Sequence, residues 1–112
     1  MVLKITSSPF GGLTRTRALM ALRLLESSYP QELAALLAAP PSGVRKALRS
    51  LEADGLVAGR LVGRTRVYRL NPAYFARDEL RRYLARMADA DPILTGRVES
   101  LRRRPRRAGK PL

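Results

Sequence analysis

Cysteine and histidine are both absent from the 112 residues. No disulfide can form, so the fold needs no oxidising compartment. The thiolate and imidazole ligands that usually hold zinc are missing, which argues against a zinc site or a thiolate metal sensor. The commonest general base is missing as well. A hydrolase would need paired carboxylates or an activated Ser or Lys. The acidic pairs Asp78-Glu79 and Asp89/Asp91 read instead as solubilising charge near helix ends. No phosphate-binding loop of the G-x-x-x-x-G-K type occurs. The chain is therefore expected to be no enzyme and to need no metal or cofactor. Tryptophan is absent and aromatics make up only 5%, so Leu, Ala and Val must supply the core, a composition that favours helix over sheet. No segment approaches the roughly 20 apolar residues of a membrane span. The longest uncharged stretch, residues 33–44, contains Pro40 and Pro41. The opening MVLKITSSPFGG has too short an apolar run for a signal peptide. A cytoplasmic protein with no membrane partner is expected.

What is abundant is positive charge. There are 22 Lys+Arg against 9 Asp+Glu, a net charge of +13, and such an imbalance points to a polyanionic partner. The excess is not spread evenly. Residues 42–69 carry seven basic groups (Arg45, Lys46, Arg49, Arg60, Arg64, Arg66 and Arg69) against two acidic ones, and residues 97–112 carry seven against one. The remaining segments are close to balance. One block thus falls inside a patterned region and the other in a tail.

Apolar spacing divides the chain into short elements. Pro9-Phe10-Gly11-Gly12 is a turn signal that closes a leader over residues 1–12. A helix is expected over 14–27, with Thr14 as N-cap and Ala18, Leu19, Leu22 and Leu25 at helical spacing. A second begins at Pro30, whose missing N–H is harmless in a first turn, and Pro40-Pro41 stops it after about eight residues. A third runs over 41–54 and ends at a left-handed Gly55. Val44, Ala47, Leu48 and Leu51 share one face of it, while Ser42, Arg45, Lys46 and Arg49 share the other. Residues 56–61 and 66–70 suit two strands joined by a turn at Gly63. A fourth helix is expected from Pro72 or Ala76 to Ala88, with Tyr74, Leu80, Tyr83, Leu84 and Met87 on one side. Residues 95–101 suit a short helix. The domain boundaries expected are 13–72 for the patterned core, 73–96 for a C-terminal helical arm, and 97–112 for a basic, disordered tail.

Two short helices joined by a tight turn, the second one basic, describe a helix-turn-helix, and a hairpin straight after it describes a wing. The stretches Gln31-Glu32-Leu33-Ala34-Ala35-Leu36-Leu37, Leu51-Glu52-Ala53-Asp54-Gly55-Leu56-Val57 and Val62-Gly63-Arg64-Thr65-Arg66-Val67-Tyr68 resemble the winged helix-turn-helix regulators of the ArsR/MarR type. The resemblance covers about 60 residues. It implies a mostly α fold with a small β-hairpin wing, a recognition helix over 42–53 in the major groove, and a hairpin over 61–66 along the flanking backbone. It also implies a two-fold homodimer through the first and last helices, here 13–26 and 76–88. Two departures stand out. The metal-binding Cys or His of the sensor members are missing, and the position before the recognition helix is Pro40 rather than Ser, Thr or Asp. The cap of that helix is therefore weakened or shifted to Ser42.

The chemistry of the side chains points the same way. An α-helix fits the major groove, and Arg can bond bidentately to guanine. Arg45 and Arg49 are i,i+4 neighbours that can reach one groove. Ser42 and Gly43, in the first turn, suit a phosphate, and Lys46 suits a phosphate or a base. Arg60, Arg64 and Arg66 can neutralise phosphates, and Arg64 or Arg66 suits a narrow minor groove. Tyr68 alternates with Arg69 and belongs to the core. The expected function is sequence-specific binding of double-stranded DNA. A non-specific architectural binder and an antitoxin-like protein-interaction winged helix remain alternatives. The operator and any small-molecule effector are not legible.

Overall fold

The computed structural model describes residues 9–103. It contains five helices and one hairpin, in the order α1 (Leu13–Leu25), α2 (Pro30–Leu37), α3 (Pro41–Ala53), β1 (Val57–Val62), β2 (Thr65–Leu70), α4 (Arg77–Asp89) and α5 (Pro92–Arg103). The expected leader before residue 9 and the tail beyond residue 103 lie outside the described residues.

Helix α1 is the hub. Ala18, Leu19, Met20, Ala21 and Leu22 are consecutive and all fully buried, so the helix is covered on several sides. It is packed by α3, α4 and α5 and by strand β2. It begins after Gly12, which directly follows Gly11 at φ 108, and no side chain caps it. Thr14 is therefore not the N-cap, because the glycine turn lets the helix start at Leu13. Helix α2 starts at Pro30 as its missing donor permits, and buries Leu33, Leu36 and Leu37. Just before it, the buried Ser28 hydroxyl donates to Glu32 at 2.6 Å. Helix α2 closes at Ala38, in the left-handed region at φ 53, two residues ahead of Pro40.

Helix α3 ends as its sequence requires. Gly55, at φ 82, donates to Glu52 O at 3.0 Å, and Leu56 N donates to Leu51 O at 3.0 Å. This pair of bonds is a Schellman motif, and the buried Leu56 supplies its apolar contact. The strands pair antiparallel from Val57↔Leu70 to Val62↔Thr65. The turn is therefore Gly63-Arg64, with a positive φ at Gly63 alone, which is the type II′ pattern that suits a twisted hairpin. The segment between α1 and α2 is more than a break. Ser28 and Tyr68 exchange backbone bonds of 3.0 and 2.7 Å, adding a one-residue third strand to the sheet.

Two expectations change in the C-terminal third. Tyr83 is 48% exposed and stands outside the Leu80, Leu84, Met87 stripe that α4 buries. On a 3.6-residue wheel it lies at the edge of that stripe, where its ring meets Phe10 at 5.8 Å between centroids. The short helix expected over 95–101 forms and is longer, Pro92–Arg103, so α5 runs into the segment also expected as a basic, disordered tail. Leu94 and Val98 are buried one turn apart, and Arg97 donates to Leu36 O at 2.9 Å, so apolar burial extends further than charge density suggested.

Candidate nucleic-acid interface

The recognition-helix candidate is anchored on one face and open on the other. Val44, Leu48 and Leu51 are fully buried, while Ser42, Gly43, Arg45, Lys46 and Arg49 are all exposed. Leucine burial of this kind contributes about 1.5–3 kcal/mol per side chain, enough to fix which face turns outward. Pro40 is the N-cap, extended at φ −63 and ψ 137, and Pro41 is the first helical residue. The cap has not shifted to Ser42, because Pro41 is preset for a first helical position and starts the helix one residue earlier. Ser42 and Gly43 accordingly lie in the first turn, where backbone N–H groups lack helical partners and favour an anion. A Cβ on Gly43 would meet nothing within 4 Å, so packing does not demand glycine there.

A groove of about 540 Å3 lies between this helix and the wing. Arg45 and Arg49 of α3 line it, as do Arg64 and Arg66 of the wing and Tyr29 and Gln31 at the start of α2. Among the described residues, no carboxylate pairs with Arg45, Lys46, Arg49, Arg60 or Arg64.

The wing residues do not form one set. Strand alternation places Arg66 on the face of Tyr68 and Leu70, toward α3, and Arg60 on the opposite face with Arg69. Arg66 is engaged by its own fold, although its side chain remains 41% exposed. Its Nη2 donates to Glu52 Oε2 at 2.8 Å and lies near Gly59 O at 3.4 Å, and its guanidinium sits 5.7 Å from the Tyr68 ring centroid. The hydrogen bond and charge of Glu52 raise its pKa above the ordinary arginine value. Gly59 makes this possible, because a Cβ there would stand 2.9 Å from both Arg66 Nε and Tyr68 Cε2. Arg60 instead lines a separate cleft of about 850 Å3 behind the wing, together with Arg69 and with Arg77 and Arg81 of α4. Of the wing arginines, Arg64 at the hairpin tip lines the groove with no carboxylate partner among the described residues.

Sequence reasoning missed two things. The parity that put Tyr68 in the core also decides Arg66, and it was legible. Arg15 was not legible. Although it sits in the first turn of α1, it reaches Asp54 of α3 at 2.8 Å and also bonds Ser50 Oγ and Phe10 O.

A basic helix after a tight turn, a hairpin beside it and helices behind define a winged helix-turn-helix. Two solved structures share this fold. One is the adhesin competence repressor AdcR from Streptococcus pyogenes, with a TM-score of 0.58 at 20% identity over 79% of this chain and 65% of that one. The other is a variant of ZitR from Lactococcus lactis, with a TM-score of 0.60 at 19% identity over 85% of this chain and 63% of that one. The chain thus spans just under two thirds of their length. No protein-family model and no curated protein matches the sequence.

Proposed function

We propose that the protein is a DNA-binding transcriptional regulator and not an enzyme, with α3 in the major groove and the wing on the flanking backbone. The observation that carries this reading is the outer face of α3, where Arg45, Lys46 and Arg49 stand exposed, with no carboxylate partner among the described residues, above a fully buried leucine face. Arg45 and Arg49 are the base-reading pair. Ser42, Gly43 and Lys46 hold phosphates, and Arg64 enters the neighbouring minor groove. Arg60 contributes a weaker backbone contact, and Arg66 shapes the groove through Glu52 rather than touching DNA. AdcR, which shares the fold, is named a repressor, and this supports a regulatory role.

The reading includes a homodimer, with its contact on the outer faces of α4 and α5. Tyr83 and Ile93 are exposed there, whereas residues 18–22 of α1 are fully buried and leave its half-buried ends as the part of α1 that a partner could reach. No helix among the described residues is long and apolar enough to cross a membrane.

The test is selection of genomic DNA fragments at near-physiological salt with heparin as competitor. Recovery of one inverted-repeat motif supports a dimeric sequence reader. Uniform recovery identifies a charge-driven binder, and no recovery identifies a protein-interaction module.

A further inference from the structure

We infer that Arg15 is a positioning residue for the recognition helix, fixing the C-terminal end of α3 against α1 and the leader turn. This rests on the DNA-binding reading above. The two ends of α3 are held by different means. At its start, Pro40 and Pro41 stiffen the backbone, and Val44 N donates to Pro40 O at 3.1 Å. At its end the helix stops at Asp54, whose side chain is 57% exposed. The one side chain that ties this end to another helix by hydrogen bonds, among the described residues, is Arg15.

Its geometry is that of a three-way clamp. Nη2 donates to Asp54 Oδ2 at 2.8 Å, Nη1 to Ser50 Oγ, and Nε to Phe10 O. Ser50 and Asp54 are one turn apart on α3, so two donors of one planar group grip two successive turns. The Arg15 side chain is only 19% exposed while Asp54 is 57% exposed, so solvent screens the charge attraction and the clamp rests on the three directed hydrogen bonds of one planar group. The third acceptor belongs to Phe10, whose ring rests 5.8 Å from that of Tyr83 on α4. The guanidinium therefore registers α3 against α1 and, through the leader turn, against α4.

The consequence for recognition is one of angle. A 13-residue helix is about 20 Å long, so moving one end by about 1 Å tilts it by about 3°. Bidentate contact of Arg45 or Arg49 with a base edge tolerates little displacement, whereas contact with phosphates tolerates more. Losing the clamp should thus weaken base reading and spare backbone binding.

The experiment compares wild type, Arg15→Ala, Arg15→Lys and Asp54→Asn by fluorescence anisotropy on a selected duplex and on its shuffled counterpart. For Arg15→Ala and Asp54→Asn, affinity for the selected duplex is expected to fall about tenfold, the scale of one lost base contact. Affinity for the shuffled duplex and its salt slope should not change. Arg15→Lys, which keeps the charge but not the fork, should recover only part of the loss. Equal loss on both duplexes would reduce Arg15 to a fold-stabilising residue, and a shallower salt slope would make it a phosphate contact. Full recovery by Lys would remove the clamp. Each of these results overturns the inference. A second readout does not involve DNA. Amide exchange at Asp54, Gly55 and Leu56 should accelerate in Arg15→Ala beyond that of the first turn of α3, and unchanged exchange overturns the inference by itself. If wild type shows no preference between duplexes, the DNA-reading proposal fails, and the exchange result alone decides the role of Arg15.

Discussion

Helix α3 and the wing carry similar densities of basic residues, yet the fold uses them differently. On α3 the basic residues recur at helical spacing, so Arg45, Lys46 and Arg49 emerge on one exposed side. On the hairpin successive residues point to opposite faces. Arg66 turns toward α3 and is taken by Glu52, Arg60 turns toward the rear cleft, and Arg64 alone remains at the tip. Counting basic residues measures an interface on a helix and overestimates one on a strand.

Several substitutions would break or sharpen this contrast. The largest effect is expected beneath α3. Leu48→Ala removes a fully buried side chain and should cost about 2–5 kcal/mol of stability in chemical denaturation. A loss under about 1 kcal/mol would mean that α3 is not anchored as described.

Arg49 and Arg66 form the direct comparison. Arg49→Ala should cost about 1–3 kcal/mol of affinity for a specific site and relax preference at one base pair. Arg66→Ala should leave base preference unchanged and loosen the hairpin, visible as a lower melting temperature. A change of base preference in Arg66→Ala would return that residue to the DNA contact set. Gly59→Ala attacks the same packing from the other strand. Its Cβ would press on Arg66 and on the buried Tyr68, at a cost of about 1–3 kcal/mol measured by thermal unfolding.

The smallest effect separates fold from function. Gly43→Ala places a methyl group in open space on a helix and should gain about 0.5–1 kcal/mol of stability. The same methyl group stands where a phosphate is proposed to approach, so DNA affinity should fall while stability rises. Parallel gains in both would show that no phosphate lies against Gly43.

Much of this architecture was legible before any coordinates. Helices α2 and α3 follow from Pro30, the proline pair and Gly55, because each of these residues restricts its own backbone. The two-faced character of α3 follows from spacing alone. Boundaries without such markers were less legible. Thr14 looked like a cap but lost to the glycine turn at Gly11-Gly12, and the end of α5 was hidden under a charge run although Leu94 and Val98 carried the helical signal. Tyr83 fell at the edge of a stripe, where spacing does not say which neighbour will cover it.

The sequence by itself determined which elements form and which side of α3 carries charge, since both depend on local backbone preference and on the period of apolar residues. Only the tertiary structure decided how those charges are engaged. Arg15 meets Asp54 39 positions away, Arg66 of the wing meets Glu52 of α3, and Ser28 joins the sheet through Tyr68. Periodicity places a side chain on a face, but what that face meets depends on packing between segments far apart in the chain.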